Sequence, residues 1–280
     1  MAVVSCFSLL KKADERGVAL PAFNIDNMES ALAVFNAVKK LKEEVIIQTI
    51  PKTLSYGGVA TYPAMIRAMF DKLDTDVAIH LDHASVPELI RTAADCGFTS
   101  VMYDGSALPF GQNAANTAEI CRQMQCRGIS VEGELGVIGG KEQGDTDLAC
   151  VYTRVDEAVR FVEITGVDML AIGVGTAHGI YKGTPVINIG RIAEIHEAVP
   201  CSLVLHGASG LSDEVLKDAV AAGIRKVNFA TELRQAFTRG VKAGIKENPD
   251  AYDPKIYLPY AVSEIQKTVE AKIRLLKNPT

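Results

Sequence analysis

VAIHLDHASVPELIRTAADCGFTSVMYD, residues Val77 to Asp104, holds one complete strand–helix–strand unit. Val77–Asp82 reads as a strand. Its residues alternate with period two, so Ile79 and Leu81 point one way while His80 and Asp82 point the other. Val86–Cys96 is amphipathic at helical spacing, and Gly97 follows it as a helix-terminating glycine. Ser100–Asp104 is a second strand-like run. A strand that reaches the next strand through a helix belongs to a parallel sheet. In such a sheet Ile79 and Leu81 face the helices, and His80 and Asp82 face the opposite side.

The same unit recurs in both directions along the chain. Strand-like runs occur at Val18–Asn24, Glu44–Thr49, Val77–Asp82, Ser100–Asp104, Ser130–Leu135, Met169–Val174, Ser202–His206 and Lys226–Ala230, eight in all. Amphipathic segments separate them: Met28–Leu41, Tyr62–Lys72, Val86–Cys96, Asn113–Cys126, Val155–Thr165, Ile189–Val199 and Asp213–Ala222. Gly166 and Gly223 repeat the helix-end glycine, and Ser212-Asp213-Glu214 is a helix start with acids in its first turn. Helices at Thr231–Lys246 and Tyr260–Lys277 follow the eighth strand. Eight alternations in 280 residues fit a closed α/β barrel, a single (β/α)8 TIM barrel spanning 1–280 with an extra C-terminal helix. Two connections are long: Gly136–Cys150, which contains Gly139-Gly140, and Gly173–Ile187. Long loops at the C-terminal end of barrel strands are usually functional.

Bulk properties narrow the function. The net charge is −5 and the pI is near 5.6, which argues against nucleic acid or an anionic membrane as partner. There is no tryptophan to build a stacking platform, and no run approaches a membrane-spanning length. Cys6, Cys96, Cys121, Cys126, Cys150 and Cys201 include no C-x-x-C pair and read as reduced thiols. Met1–Leu10 lacks a basic segment before its apolar run and a cleavage pattern after it, so a cytoplasmic protein is expected.

Barrel enzymes carry their chemistry at the C-terminal ends of the strands. Those ends are polar here: His80-Leu81-Asp82-His83, Tyr103-Asp104, Glu132 and Glu134 on one face, Gly175-Thr176-Ala177-His178-Gly179, His206-Gly207-Ala208-Ser209-Gly210 and Asn228-Phe229-Ala230-Thr231. Of five histidines, His83, His178 and His206 lie at or just past strands three, six and seven. Three neutral imidazoles suit a catalytic zinc with one position open. His80 reads as an interior supporting residue and His196 as an ordinary helix residue. The glycine-rich segments after the last two strands suit a phosphate, which backbone N–H groups and a helix N-terminus can cradle. Lys182 could add a cation.

Taken with Pro21-Ala22-Phe23-Asn24, Glu132-Gly133-Glu134-Leu135-Gly136 and Gly139-Gly140-Lys141-Glu142, these motifs resemble the class II, zinc-dependent ketose-bisphosphate aldolases of the fructose and tagatose type. The likeness runs over essentially the whole chain. It implies that His83, His178 and His206 bind Zn2+, with Asp104 and Glu134 at a second metal position. It implies that Asp82 handles the proton on the C4 oxygen. Glu142 would be the mobile carboxylate that exchanges the proton on the enolate carbon. Asn24, Gly179, Lys182, Gly207, Ser209, Asn228 and Thr231 would surround the substrate and its C1 phosphate. A monovalent cation, Na+ or K+, near the phosphate loops and a homodimer or homotetramer are also implied. The implied reaction is reversible cleavage of a ketose 1,6-bisphosphate to dihydroxyacetone phosphate and an aldehyde such as glyceraldehyde 3-phosphate, within carbohydrate metabolism and glycolysis.

Three positions depart from the family pattern. Ile50 stands where a serine or threonine is usual. Lys141 replaces an acid or glutamine. Asp253-Pro254-Lys255 replaces Asp-Pro-Arg, whose arginine usually reaches the distal phosphate in a neighbouring subunit. Lysine pairs with an anion without the bidentate fork. The departures at Ile50 and Lys255 fall on the distal half of the substrate. The competing readings are an aldolase of the same mechanism acting on a different ketose 1-phosphate, and a non-catalytic sugar-phosphate-binding protein. A zinc hydrolase would often carry a His-x-His pair on its first strand, and no strand supplies one.

Overall fold

The computed structural model describes residues 3–140, 151–181 and 183–277. Among these residues the strands are β1 (Leu20–Asn24), β2 (Val45–Thr49), β3 (Val77–Ala84), β4 (Ser100–Tyr103), β5 (Ser130–Leu135), β6 (Gly139–Gly140), β7 (Met169–Ile172), β8 (Ala177–His178), β9 (Ser202–Leu205) and β10 (Ile224–Phe229). Eight of them close a barrel in the order β1-β10-β9-β7-β5-β4-β3-β2, and every ladder is parallel. The remaining two, β6 and β8, pair with each other as a short separate ribbon.

The helices are α1 (Cys6–Glu15), α2 (Met28–Leu41), α3 (Pro51–Gly57), α4 (Thr61–Phe70), α5 (Pro87–Asp95), α6 (Phe110–Gln125), α7 (Val155–Thr165), α8 (Ile189–Ala198), α9 (Asp213–Ala221), α10 (Thr231–Glu247) and α11 (Pro254–Lys277). Local signals set their ends. Ser212 caps α9 by accepting from the Val215 N–H, and Gly166 closes α7 in the left-handed region at φ +64°.

The eight expected barrel strands are all present, with ends shifted by a residue or two. Four short elements were not expected. Helix α1 forms where the N-terminal apolar run lies, started by Ser5, whose side chain accepts from Ser8 N–H. Helix α3 begins on Pro51 at its first turn and is too short to show a period. The β6–β8 ribbon interrupts both long loops. Helix α11 starts at Pro254 instead of Tyr260 and carries Pro259 inside it. Asp253, accepting from the Lys255 N–H, provides the earlier start.

Two cores result from the alternation. Ile79 and Leu81 join Phe23, Ile47, Val101, Leu170 and Val227 against the surrounding helices, as their spacing requires. The inward set, Leu20, Ala22, Ile46, Ala78, Met169, Ala171 and Val204, meets Cys6, Leu9, Leu10 and Ala13 of α1, which closes the N-terminal end of the barrel. Each buried leucine there contributes roughly 1.5–3 kcal/mol, and Leu10→Ala would cost about 2–5 kcal/mol. Above this apolar floor the interior turns polar. Gln48, His80, Glu132, Lys226 and His206 are all fully buried. No described helix is long and apolar enough to cross a membrane.

Candidate metal and active site

Strand β3 departs from simple alternation at its end. His83 takes φ +50°, and the β3–β4 register shifts between Leu81 and Ala84. A non-glycine residue in the left-handed region is strained, and such strain gathers at functional sites. The His83 N–H is met by the Sδ of Met102 at 3.3 Å. This bulge brings two consecutive side chains, Asp82 and His83, to one cavity. Alternation alone would send them to opposite faces.

His83, His178 and His206 converge, with ring nitrogens within 4.8 Å of one another. The ring centroids lie 4.6 Å apart for His83 and His206, and 4.9 Å apart for His83 and His178. Carboxylates hold the outer nitrogens. His83 Nδ1 is 2.9 Å from Asp104 Oδ2, and His206 Nε2 is 2.8 Å from Glu132 Oε1. A carboxylate accepts a proton-bearing nitrogen, which fixes the tautomer. The other nitrogens, His83 Nε2 and His206 Nδ1, then face each other across 2.8 Å. Burial, reinforced by the neighbouring His83, pushes His178 and His206 well below the ordinary imidazole range, favouring neutral rings. Two inward-facing ring nitrogens with a third imidazole beside them fit a transition-metal cation.

Asp104 and Glu134 flank His83. Glu134 Oε2 is 3.8 Å from His83 Nδ1, and the three residues form a second group of potential ligands. Their protonation is driven apart. Burial and then Asp104 raise Glu134 well above the carboxylate range. Burial works to raise Asp104 too, but the hydrogen bonds from His83 and Ser106 hold it well below. His80, Asp82 and Glu132 form a third group, but the Lys226 ammonium already lies 2.8 Å from Glu132 Oε2.

Asp82 receives three side-chain amides. Asn24 Nδ2 and Gln48 Nε2 donate to Oδ2 at 3.1 and 3.0 Å, and Asn228 Nδ2 donates to Oδ1 at 3.2 Å. Burial pushes its pKa up, and attraction to His83, His206 and Lys226 outweighs that and leaves it below the ordinary value. Asp82 is thus a positioned, ionised acceptor beside the imidazoles.

The anion-binding candidates meet the same cavity. Asn24, Asp82, His83, His178, Gly179, Gly207, Ser209, Asn228, Ala230 and Thr231 line it, and Gly179, Ser209 and Thr231 continue into a cleft of about 600 Å³. Ser209 Oγ accepts from the N–H groups of Ala230 and Glu232 at the start of α10, at 3.3 and 3.4 Å. Strand β8, which carries His178, is clamped between two glycines. A Cβ on Gly140 would strike the His178 backbone, and one on Gly207 would strike the Ala177 backbone. Tyr181 Oη ties the assembly together, donating to Gly207 O at 2.7 Å and accepting from Ala177 N–H at 2.9 Å.

Glu142, Lys141 and Lys182 are outside the described residues. Lys255 sits in the first turn of α11, with its side chain 84 % exposed and paired with Asp253, and it does not line the cavity. Ile50 is buried at the end of β2 and precedes α3.

Sequence reasoning missed Gln48, Lys226, Tyr181 and Ser106. A polar residue at an inward position of Val45–Thr49 was the available signal for Gln48. Lys226 had the same one, two residues before Asn228. Nothing local reveals that Lys226 meets Glu132, 94 residues away.

A buried, ionised acid next to a cation site is what carbon–carbon cleavage through an enediolate requires, and fold and site together define a metal-dependent aldolase, a lyase. A family model for fructose-bisphosphate aldolase class-II matches residues 4–279, and the chain belongs to that family. Solved structures agree. The YdjI aldolase of Escherichia coli K12 is 32 % identical over 98 % of this chain and 97 % of its own, with a TM-score of 0.87. A candidate fructose-1,6-bisphosphate aldolase from Coccidioides immitis is 29 % identical over 97 % and 95 %, with a TM-score of 0.89. Fructose-bisphosphate aldolase from Campylobacter jejuni, at 24 % identity over 98 % and 95 % and a TM-score of 0.85, shares the fold.

Proposed function

We propose that this aldolase is zinc-dependent and reversibly cleaves a ketose 1,6-bisphosphate of the fructose or tagatose type to dihydroxyacetone phosphate and an aldehyde such as glyceraldehyde 3-phosphate. The observation that carries this reading is the pair of facing imidazole nitrogens, His83 Nε2 and His206 Nδ1, 2.8 Å apart beside Asp82. Zn2+ on His83, His178 and His206 would supply Lewis-acid polarisation of the substrate oxygens. Asp82 takes the proton of the C4 hydroxyl as C4–O becomes a carbonyl. The C3–C4 electron pair passes to the enediolate of the triose half, and Glu142 returns a proton to C3. Asn24, Gly179, Lys182, Gly207, Ser209, Asn228 and Thr231 hold the substrate, the glycines and the α10 N-terminus facing the C1 phosphate. Asp104 and Glu134, flanking His83, would hold a second cation, and Na+ or K+ would sit near the phosphate loops. A cytoplasmic, glycolytic role in a homodimer or homotetramer completes the reading, with Lys255 of a neighbouring copy at the distal phosphate.

A second reading, a different ketose 1-phosphate, is favoured by buried, apolar Ile50. It leaves the distal half without a hydroxyl donor at that place. A coupled assay for dihydroxyacetone phosphate on a panel of ketose phosphates, with and without chelator, decides both points. Turnover that survives complete zinc removal rejects the mechanism. Turnover only on substrates lacking a distal phosphate selects the second reading.

A further inference from the structure

The barrel interior contains a lysine that no step above uses. Lys226 lies on β10, fully buried, below the imidazoles. Its Nζ lies 2.8 Å from Glu132 Oε2. The other oxygen of the same carboxylate, Oε1, accepts from His206 Nε2 at 2.8 Å. His206 then turns Nδ1 toward His83 Nε2. His80 Nε2 stands 3.5 Å from Glu132 Oε2, while its Nδ1 is taken by Ser100 Oγ at 2.7 Å.

We propose that Lys226 is a positioning residue for metal binding, acting through Glu132 on the tautomer and ring orientation of His206. The physical reason is the division of one carboxylate between two donors. A glutamate side chain can rotate about its terminal torsion, and both of its oxygens are equivalent acceptors. The ammonium claims Oε2 and fixes the carboxylate plane, so Oε1 alone meets the imidazole. That bond puts the proton of His206 on Nε2 and keeps Nδ1 for the cation. Because the pair is sealed in the barrel, no solvent can replace the lysine as donor. A buried ion pair is weak evidence for stability, so a positioning role is the better account of its presence. Lys226 touches neither the cavity that holds Asp82 nor the anion-binding loops.

The inference rests on the reading of the three imidazoles as zinc ligands. The test therefore begins with the wild-type protein and the zinc ion alone. Competition with a chromophoric chelator gives the zinc affinity, and long-range proton–nitrogen correlation gives the imidazole tautomers of the zinc-loaded protein. A wild type that takes up no zinc rejects the ligand reading itself. With zinc bound, His206 is expected to carry its proton on Nε2; the opposite tautomer overturns the positioning proposal alone. Lys226→Met, checked for folding by circular dichroism, is expected to bind zinc about 10- to 100-fold more weakly, the usual effect of losing an outer-shell partner. Wild-type affinity in that variant overturns the proposal. Should it not fold, Lys226→Met combined with Glu132→Gln buries no unpaired charge, and its zinc affinity is compared with that of Glu132→Gln alone. Equal affinities support action through Glu132, and a further loss on removing Lys226 defeats it.

Discussion

Asp82 and His83 are chain neighbours, yet both side chains line the same cavity, because His83 turns through φ +50° at a register shift in β3. The left-handed conformation costs an ordinary L-residue about 1–2 kcal/mol. Replacing His83 should therefore reverse the usual preference for alanine over glycine. With the metal removed from both, His83→Gly is expected to be more stable than His83→Ala by about 1 kcal/mol. Denaturant unfolding of the two variants measures this, and an alanine variant equal or superior in stability would show the backbone to be relaxed.

The three amides around Asp82 fix an acceptor, and they do not touch the imidazole cluster's outer carboxylates. Asp82→Ala should leave zinc content near that of the wild type while lowering kcat by about 10²–10⁴, the range of a lost acid–base group. Metal analysis and steady-state cleavage of the accepted sugar phosphate give the two readouts. Unchanged turnover rejects the role.

His178 reaches the site on a two-residue strand held between Gly140 and Gly207. Gly140 has φ +83° and Gly207 φ +64°, and neither has room for a Cβ. Gly140→Ala and Gly207→Ala should each displace β8 and weaken zinc binding by about tenfold or more, with the barrel intact by circular dichroism. Chelator competition measures the loss. Zinc affinity equal to wild type in both variants would mean that β8 does not depend on this clamp.

Acid should destabilise the metal-free protein earlier than carboxylates alone would dictate. His80, His178 and His206 are all pushed well below the ordinary value of 6.5, by burial first. The unfolded chain therefore binds protons that the folded one refuses. Stability from these groups is present above pH 6.5 and falls as pH drops from there toward their folded pKa values, by about 1.4 kcal/mol per unit for each histidine. Glu134 acts in the opposite sense. Its raised pKa adds stability at low pH that is lost as pH rises through the folded value. Three histidines outweigh one glutamate, so urea midpoints measured downward from pH 7 should fall steadily. A flat profile from pH 7 to about pH 5 would contradict neutral burial of these rings.

Much of this arrangement is legible before folding because it is local. Ile79 and Leu81 declare the outer face of β3, and His80 and Asp82 the inner one. The loops after β9 and β10 display glycine and hydroxyl residues in a row. What is not legible depends on geometry that spacing does not encode. A period of two sends His83 outward, and only the bulge reverses it. The contact of Lys226 with Glu132 spans the barrel between residues far apart in the chain. Gly139-Gly140 reads as a flexible loop, although its second glycine is the surface against which His178 is set. Helix α1 is short, and its apolar residues acquire meaning only when the barrel's lower end is there to receive them.

That helix has a kinetic consequence. With Leu9, Leu10 and Ala13 stoppering the lower end, the described residues open the polar layer toward the cavity lined by Asp82, His83 and His178. Metal, substrate and products that use this cavity share one path, and so must take turns. A sugar phosphate seated there would stand between the ion and the solvent. A chelator would then strip the ion only in the intervals between occupants, and saturating substrate should slow that stripping as the bound fraction rises.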